Sequence, residues 1–462
     1  MNMKLRDLFA LINVEIPNDI AELEFPFHLA TDSRDVMKGG AFVALEGEKT
    51  DGHKYIPQAV ENGAALLIVR TGKNPGVNVP TVELDNPERD LARLAALKLK
   101  YHEENENLQE VIAITGSVGK TTTRAAMQLV LKNKFKVHAP ERSFNTLIGC
   151  TATIMAMPLE TEILILEFGA NKPGEIRELT DYFPPTMSVL TAVAPVHLEG
   201  FGDIRGVLDE KLEITRSSVM TSIVYNNDNE LLNEAFKYVV KSMGVGESKD
   251  SDFVISHDVS EYKLRALSFL IAHRPTQEVA RFNIKLWGKH NSMPIALAAA
   301  VGHELGLSLQ ECADALESFQ ALEGRGRVIP LGENKFMVDD SYNANPASMS
   351  ASLTTLNGVE FPGKVAVLGE MRELGEDAVK YHADLNPLLE NLDCVILTGG
   401  TWREALGDKD YIFVDTWQEA LEALKKFMDE NEWHGILIKG SHSIGLEHVV
   451  KAISNEQLGA RS

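Results

Sequence analysis

Residues 111–123, V-I-A-I-T-G-S-V-G-K-T-T-T, restrict the fold more than any other stretch of this chain. Four apolar residues, Val111 to Ile114, predict a short buried strand. Thr115 to Gly119 form a glycine-bearing turn, and Arg124 to Leu131 run on with helical periodicity. A strand that enters a tight turn and leaves as a helix aims several backbone N–H groups and a helix N-terminus at one point. Gly116, Ser117, Val118, Gly119, Lys120, Thr121 and Thr122 are therefore the expected polyphosphate cradle. Lys120 supplies a cation, and the Thr121 hydroxyl is placed to hold Mg2+ against the phosphates. The general phosphate-loop pattern wants a glycine where Ile114 stands, so this is the shorter T-G-x-x-G-K-T-T form. ATP binding follows from this segment; the use made of the ATP does not.

The chain has 462 residues and a net charge of −22, from 45 basic and 67 acidic side chains. That balance argues against general nucleic-acid binding, which needs a basic face. An acidic chain that binds a nucleotide has to gather its cations, and metal, at one place. Cys150, Cys312 and Cys394 are far apart and form no C-x-x-C pair, so they read as small buried hydrophobes in a reducing compartment. Met1 to Phe9 carries Lys4, Arg6 and Asp7 and lacks the apolar core of a signal peptide. No apolar run approaches the roughly 18 residues that span a bilayer. The expectation is a cytoplasmic protein of two to four domains with no stable membrane association.

Three α/β segments are expected, at 1–85, 86–322 and 323–462. In the first, a turn and strand at 39–45, a helix at 55–62 and a buried strand at 64–69 alternate. Pro87 to Glu104 predicts an amphipathic connecting helix with Leu91, Leu94, Ala95, Leu97 and Leu99 largely on one side. In the second, apolar strands at 111–114, 163–168 and 187–193 alternate with helical stretches, the pattern of a mostly parallel sheet. A strand-rich stretch at 252–287 precedes helices at 291–305 and 308–319. The third, with strands at 335–339, 364–368, 393–397, 411–414 and 435–438, reads as doubly wound and Rossmann-like.

Chemistry-bearing residues gather at the expected strand ends. I-L-I-L-E-F-G, 163–169, ends a strand in Glu167, which would face the same crevice as the phosphate turn and could hold Mg2+. A-P-V-H-L-E-G-F-G, 194–202, sets His197 beyond the next strand as a ligand or acid–base group. Lys211, among D-E-K-L-E-I, reads from its neighbours alone as a solvated surface lysine. Asn291, in W-G-K-H-N-S, opens an alanine-rich helix and reads as an N-cap. G-R-G-R, 324–327, offers two guanidinium groups suited to phosphate, or a solvated linker. The loop V-D-D-S-Y-N-A-N-P, 338–346, is too dense in Asp and Asn to be only a turn.

Taken in order, these segments resemble the Mur ligase family of peptidoglycan precursor synthesis. Within it they are similar to the type that joins D-alanyl-D-alanine to UDP-N-acetylmuramoyl-tripeptide. T-D-S-R at 31–34, F-V-A-L-E-G at 42–47 and D-G-H at 51–53 match the amino-terminal pattern of that type; G-E-M-R-E-L-G at 369–375 and K-G-S at 439–441 match its carboxyl-terminal pattern. The resemblance implies a UDP-sugar-binding domain, a central phosphate-loop ATPase domain and a mobile Rossmann-like ligase domain, acting as a monomer. It also implies roles for single residues. Lys120, Thr121 and the turn backbone would bind ATP phosphates, with Thr121 and Glu167 on one Mg2+ and His197 serving a second. Lys211 would be carbamylated and support the metals, which makes Lys120, His197 and Lys211 the catalytic set. Asn291 would reach adenine, and Arg325 and Asp340 would come to the nucleotide from the domain junction. Ser33, Arg34, Asn145, Thr146, Asn343 and Asn345 would contact the muramoyl-peptide and the incoming dipeptide. The chain departs from the pattern at Ser143, where an asparagine is common, at His442, where arginine is usual, and at Asn386, where a glycine often stands. A sister ligase adding a different amino acid, and a non-catalytic paralogue that only binds the nucleotide sugar, are the alternative readings.

Overall fold

The computed structural model describes residues 3–47, 50–105, 107–257 and 267–459. Nineteen strands among these residues lie in three sheets. The first sheet is four parallel strands in sequential order: β1 (Leu29–Ala30), β2 (Ala41–Val43), β3 (Leu66–Arg70) and β4 (Thr81–Leu84).

The central sheet holds β5 (Glu110–Thr115), β6 (Val137–His138), β7 (Ile163–Glu167), β8 (Met187–Leu190), β9 (Ser222–Asn226), β10 (Ser242–Gly246), β11 (Phe253–His257), β12 (Leu267–His273) and β13 (Glu278–Ile284). Their order is β13-β12-β11-β10-β9-β8-β5-β7-β6, parallel except at the β11–β12–β13 edge. From β5 the chain crosses to one side toward β7 and β6, then returns to the other side as β8. The carboxyl end of β5 is thus the switch point where an open α/β sheet leaves a crevice, and the phosphate turn begins there.

The third sheet, β14 (Arg327–Gly332), β15 (Lys335–Asp340), β16 (Lys364–Gly369), β17 (Cys394–Thr398), β18 (Ile412–Val414) and β19 (Gly435–Lys439), has the order β14-β15-β19-β16-β17-β18. It is parallel apart from the β14–β15 hairpin.

Packing divides the molecule unevenly. One face of the first sheet (Ala41, Val43, Leu66, Ile68) shares a continuous apolar core with the helix Pro87–Glu104 and with Leu164 and Leu166 of β7. The other face of the central sheet is filled by the alanine-rich helix Ser292–Glu304 and by Phe253, Phe269 and Phe282. The third sheet has separate cores on its two faces, and Trp287 of the central segment is inserted into one of them. All three cysteines are buried, and burial pushes their thiols up, to about 12 at Cys312 and about 11 at Cys394. No helix among the described residues is long and apolar enough to cross a membrane.

Several sequence expectations need correction. Leu97 faces outward while Leu91, Leu94, Ala95 and Leu99 are buried, so the apolar stripe of its helix is narrower than expected. The strand expected at 187–193 ends at Leu190, where Thr191 turns to the phosphate loop. The expected strand-rich stretch is three strands, and residues 258–266 within it lie outside the described residues. Arg327 is no linker residue but the first of β14.

Candidate functional site

The phosphate turn is shaped by its neighbours. Gly116 has φ 145°, and a Cβ there would lie 2.1 Å from Thr191 Oγ1, so only glycine fits. Thr191 Oγ1 in turn donates to the Val118 carbonyl at 2.5 Å. Ser117 Oγ donates to the Ala194 carbonyl and accepts from Ala194 N–H, both at 2.9 Å, pinning the turn to the loop that carries His197. Its side chain is therefore committed, and so is its backbone N–H, which donates to the Ala192 carbonyl at 2.8 Å, so Ser117 shapes the turn and leaves the phosphate to its neighbours. Gly119 is the left-handed N-cap of the helix Lys120–Leu131 and uses no side chain to cap it, which leaves the helix N-terminus open to an anion.

Lys120 Nζ rests on the Gly116 carbonyl at 2.5 Å. Burial pushes its ammonium down to about 8, Glu167 opposes that, and Arg325 adds to it. Glu167, at the end of β7, is fully buried. Its Oε1 accepts from Arg124 Nε at 2.7 Å and its Oε2 from Thr121 Oγ1 at 3.1 Å. Ser143 Oγ lies 3.1 Å from the same Thr121 hydroxyl. Glu167 Oε2 and Ser143 Oγ thus both flank the Thr121 hydroxyl beside the turn, while the buried Arg124 guanidinium bonds the other oxygen of Glu167. That donor set, all oxygen with a carboxylate, suits magnesium.

Lys211 is the largest departure from a reading of neighbours alone. It is 2% exposed, and among the described residues its Nζ has no hydrogen-bond acceptor, lying 5.7 Å from the centroid of the Phe201 ring. Burial, with a smaller contribution from Lys120, brings its pKa down to about 7. An unpartnered buried ammonium is strongly disfavoured. Its neighbour Glu210 is engaged elsewhere, accepting from Gly174 N–H and Ile176 N–H at 2.7 Å each.

His197 follows β8 with a left-handed backbone, φ 50°, and its Nδ1 meets Glu373 of the third segment. Burial lowers its imidazole pKa, with Glu373 opposing the shift. At the junction Arg325 stacks on Tyr342, 3.9 Å from guanidinium carbon to ring centroid. Asn291 makes no side-chain cap, contrary to the simple expectation: its Nδ2 donates to the Trp287 carbonyl at 2.7 Å, and its Oδ1 accepts nothing among the described residues. Asp340 accepts from Lys439 Nζ at 2.7 Å and from Ser352 Oγ at 2.8 Å.

The remaining candidates are scattered or already employed. Thr146 caps the helix Leu147–Ala156, and Asn345 caps the helix Pro346–Asn357 in a box with Ser348. Asn145 gives its carbonyl to Gly169 N–H at 2.8 Å, which brings it to the carboxyl end of β7. Asn343 turns its Oδ1 onto Ala344 N–H and its carbonyl onto Lys439. Ser33 donates to Gln58 at 2.6 Å, while Arg34 is exposed and paired with Asp32. Asp35, in the same turn, bridges to Arg142 beside Ser143, so the first and central segments meet where 142–146 approaches the phosphate turn. Arg124, Ser143 and Thr191 carry no sequence signal of their own, since two are ordinary positions and Ser143 reads as a departure; Glu373 lies in the G-E-M-R-E-L-G motif, which does not mark it as the partner of His197.

With this geometry in place, three family models match in succession: the Mur ligase family catalytic domain over residues 28–113, the Mur ligase middle domain over 114–302 and the Mur ligase glutamate ligase domain over 324–442. A UDP-N-acetylmuramoyl-tripeptide–D-alanyl-D-alanine ligase of Bacillus subtilis is 30% identical over 446 residues, 93% of each chain. The chain belongs to the Mur ligase family. The Escherichia coli ligase of the same name is 30% identical over 471 residues, 98% of both chains. Among solved structures, MurF from Acinetobacter baumannii superposes with a TM-score of 0.78 at 28% identity, covering 92% of this chain and 93% of that one. MurF ligase from Thermotoga maritima in complex with ADP gives 0.78 at 28% identity, over 94% and 98%. As a Mur ligase of the MurF type, the chain has the three-part α/β architecture its sequence suggested and uses ATP.

Proposed function

We propose that this Mur ligase joins D-alanyl-D-alanine to UDP-N-acetylmuramoyl-tripeptide at the expense of ATP, in the cytoplasm, as a monomer. One observation carries the reading: ligases of that name match it along nearly their whole length, with the phosphate turn intact. Residues 1–85 hold the UDP sugar, with Ser33 and Arg34 on it; 86–322 bind ATP; 323–462 bring the dipeptide.

The tripeptide carboxylate attacks the γ-phosphorus of ATP, the bond to the β–γ bridging oxygen breaks, and ADP leaves an acyl phosphate. The neutral amine of D-alanyl-D-alanine adds to the acyl carbon; phosphate departs with the C–O bonding electrons, and the nitrogen gives up a proton. The first step brings two anions together, so the protein's task is electrostatic. Lys120 and the N–H groups of Gly116 and of 118–122 take the β- and γ-phosphates, and Arg325 approaches from the junction. Asn291 Oδ1, left without a donor, receives the adenine amino group. Asp340 orders the nucleotide edge of the third segment, and Asn145, Thr146, Asn343 and Asn345 line the path of the peptide. Bound through Thr121, Glu167, His197 and Lys211, magnesium supplies further neutralisation of the phosphates. Lys211 serves that group as a carbamate: its amine, neutral in part at pH 7, takes up CO2 and loses a proton, and a buried unpaired cation becomes an anion.

The test is phosphate release from ATP with UDP-muramoyl-tripeptide, with and without D-alanyl-D-alanine. Release that requires the dipeptide supports the reading. Release driven equally by single amino acids would point to a sister ligase, and no release at all to a paralogue that only binds.

A further inference from the structure

We propose that Glu373 is a positioning residue for His197, so that docking of the third segment completes the metal-facing side of the site. The contact has two strands. Glu373 Oε2 meets His197 Nδ1, and the Glu373 carbonyl accepts from Leu198 N–H at 2.9 Å, so side chain and backbone grip the same turn. Gly375 closes beside Glu199 of that turn.

Both partners are held in costly conformations. His197 (φ 50°) and Glu373 (φ 64°) are two of the six non-glycine residues with positive φ among the described residues, and they face each other across the segment boundary. Such backbones persist only where surrounding contacts determine them. The loop behind Glu373 is braced from within its own segment. Met371 N–H donates to His382 Nε2 at 3.0 Å, Arg372 N–H to Ser441 Oγ at 3.0 Å, and Glu370 takes both Arg372 and Thr401 N–H. Glu373, by contrast, turns outward to the histidine.

A carboxylate on Nδ1 fixes the proton there, sets the ring plane and leaves the Nε2 lone pair free. Phe201, edge-on at 6.4 Å between centroids, limits the ring from the other side. With the third segment withdrawn, His197 keeps Phe201 but loses the group that selects its tautomer. The donor nitrogen is therefore ready only when the segment bearing the ligation machinery is docked. This inference rests on reading His197 as a metal partner.

The experiment uses the full chain labelled with 15N-histidine, bound to a non-hydrolysable ATP analogue and UDP-muramoyl-tripeptide. The His197 ring signals are assigned with His197→Gln. In the parent, Nδ1 should carry the proton; in Glu373→Ala that signature should be lost, and Glu373→Gln, whose amide oxygen can still accept, should keep it. An unchanged His197 spectrum in Glu373→Ala overturns the proposal. In parallel, the Mg2+ midpoint for phosphate release should rise about tenfold in Glu373→Ala. It should rise no further in Glu373→Ala combined with His197→Ala than in His197→Ala alone. Additive rises would mean that Glu373 acts by another route, against the proposal. If His197→Ala leaves the midpoint unmoved while the Glu373→Ala spectrum changes, positioning stands and the metal role of His197 falls.

Discussion

At the scale of single residues, the chemistry here is decided by which charges are buried and which are answered. Lys120 sits on a carbonyl and not in a core, so Lys120→Ala should leave the melting temperature in place while phosphate release drops on the order of 10²–10³-fold. A folded variant with near-parental turnover would remove Lys120 from the site. Lys211 makes a sharper case because its burial has a pH signature. Folded, its unmodified ammonium titrates at about 7, against about 10.5 in an unfolded chain. Below pH 7 both states are protonated and the burial cost is fully present; between pH 7 and about 10.5 the unfolded chain binds the extra proton, so stability recovers as pH rises. In buffer freed of CO2, Lys211→Met should therefore gain stability over the parent at pH 7, by on the order of a few kcal/mol, and lose that advantage toward pH 10. Denaturant melts at pH 6, 7, 8.5 and 10 measure it, and a constant difference across that range would refute the assignment. The sequence could show that a lysine stands at 211 but not that it is buried, because its neighbours Asp209, Glu210 and Glu213 are the polar residues of a surface helix. Phe201, ten residues earlier, lies against it, which the sequence does not announce.

Elements that the sequence displayed plainly are those whose strands are buried on both faces. β5, β7, β16, β17 and β19 are unbroken apolar runs, and each lies inside a parallel sheet. β10, S-M-G-V-G, and β14, R-V-I-P-L-G, hid themselves. The first is glycine-rich, and the second carries Pro330 on a sheet edge with an irregular register before Gly332, as edge strands tolerate. The phosphate turn was legible as a motif, whereas its brace was not: Thr191 lies 72 residues beyond Gly119 and reaches the turn only because β8 pairs with β5. That brace gives a prediction. Gly116→Ala would drive a methyl into Thr191 and force a positive φ on alanine, costing about 1–3 kcal/mol of local structure. ATP-analogue affinity should collapse while the far-ultraviolet spectrum stays parental. Retained affinity would show that the turn can rearrange around the added carbon.

Across the whole molecule, the distribution of cores sets what can move. Residues of the first sheet and of β7 share one apolar mass, while the third sheet keeps cores of its own and touches the rest through Trp287, the 322–327 junction and Glu373. Calorimetry should accordingly resolve two transitions, one for the first and central segments together and one for the third; a single two-state transition would contradict this division. ATP analogue with UDP-muramoyl-tripeptide should shrink the radius of gyration as the third segment closes, with Gly324 and Gly326, both at positive φ, absorbing the turn. Superimposable scattering curves with and without ligands would exclude such a movement. Burial of Cys150, Cys312 and Cys394 has a practical corollary for watching it. Thiols shut inside cores and held far above neutral pKa offer almost no thiolate to a maleimide. Fluorophores could be attached to cysteines introduced at exposed Tyr238 and Glu432 without first stripping the natural ones, and the distance between the two dyes could be followed one molecule at a time through a catalytic cycle.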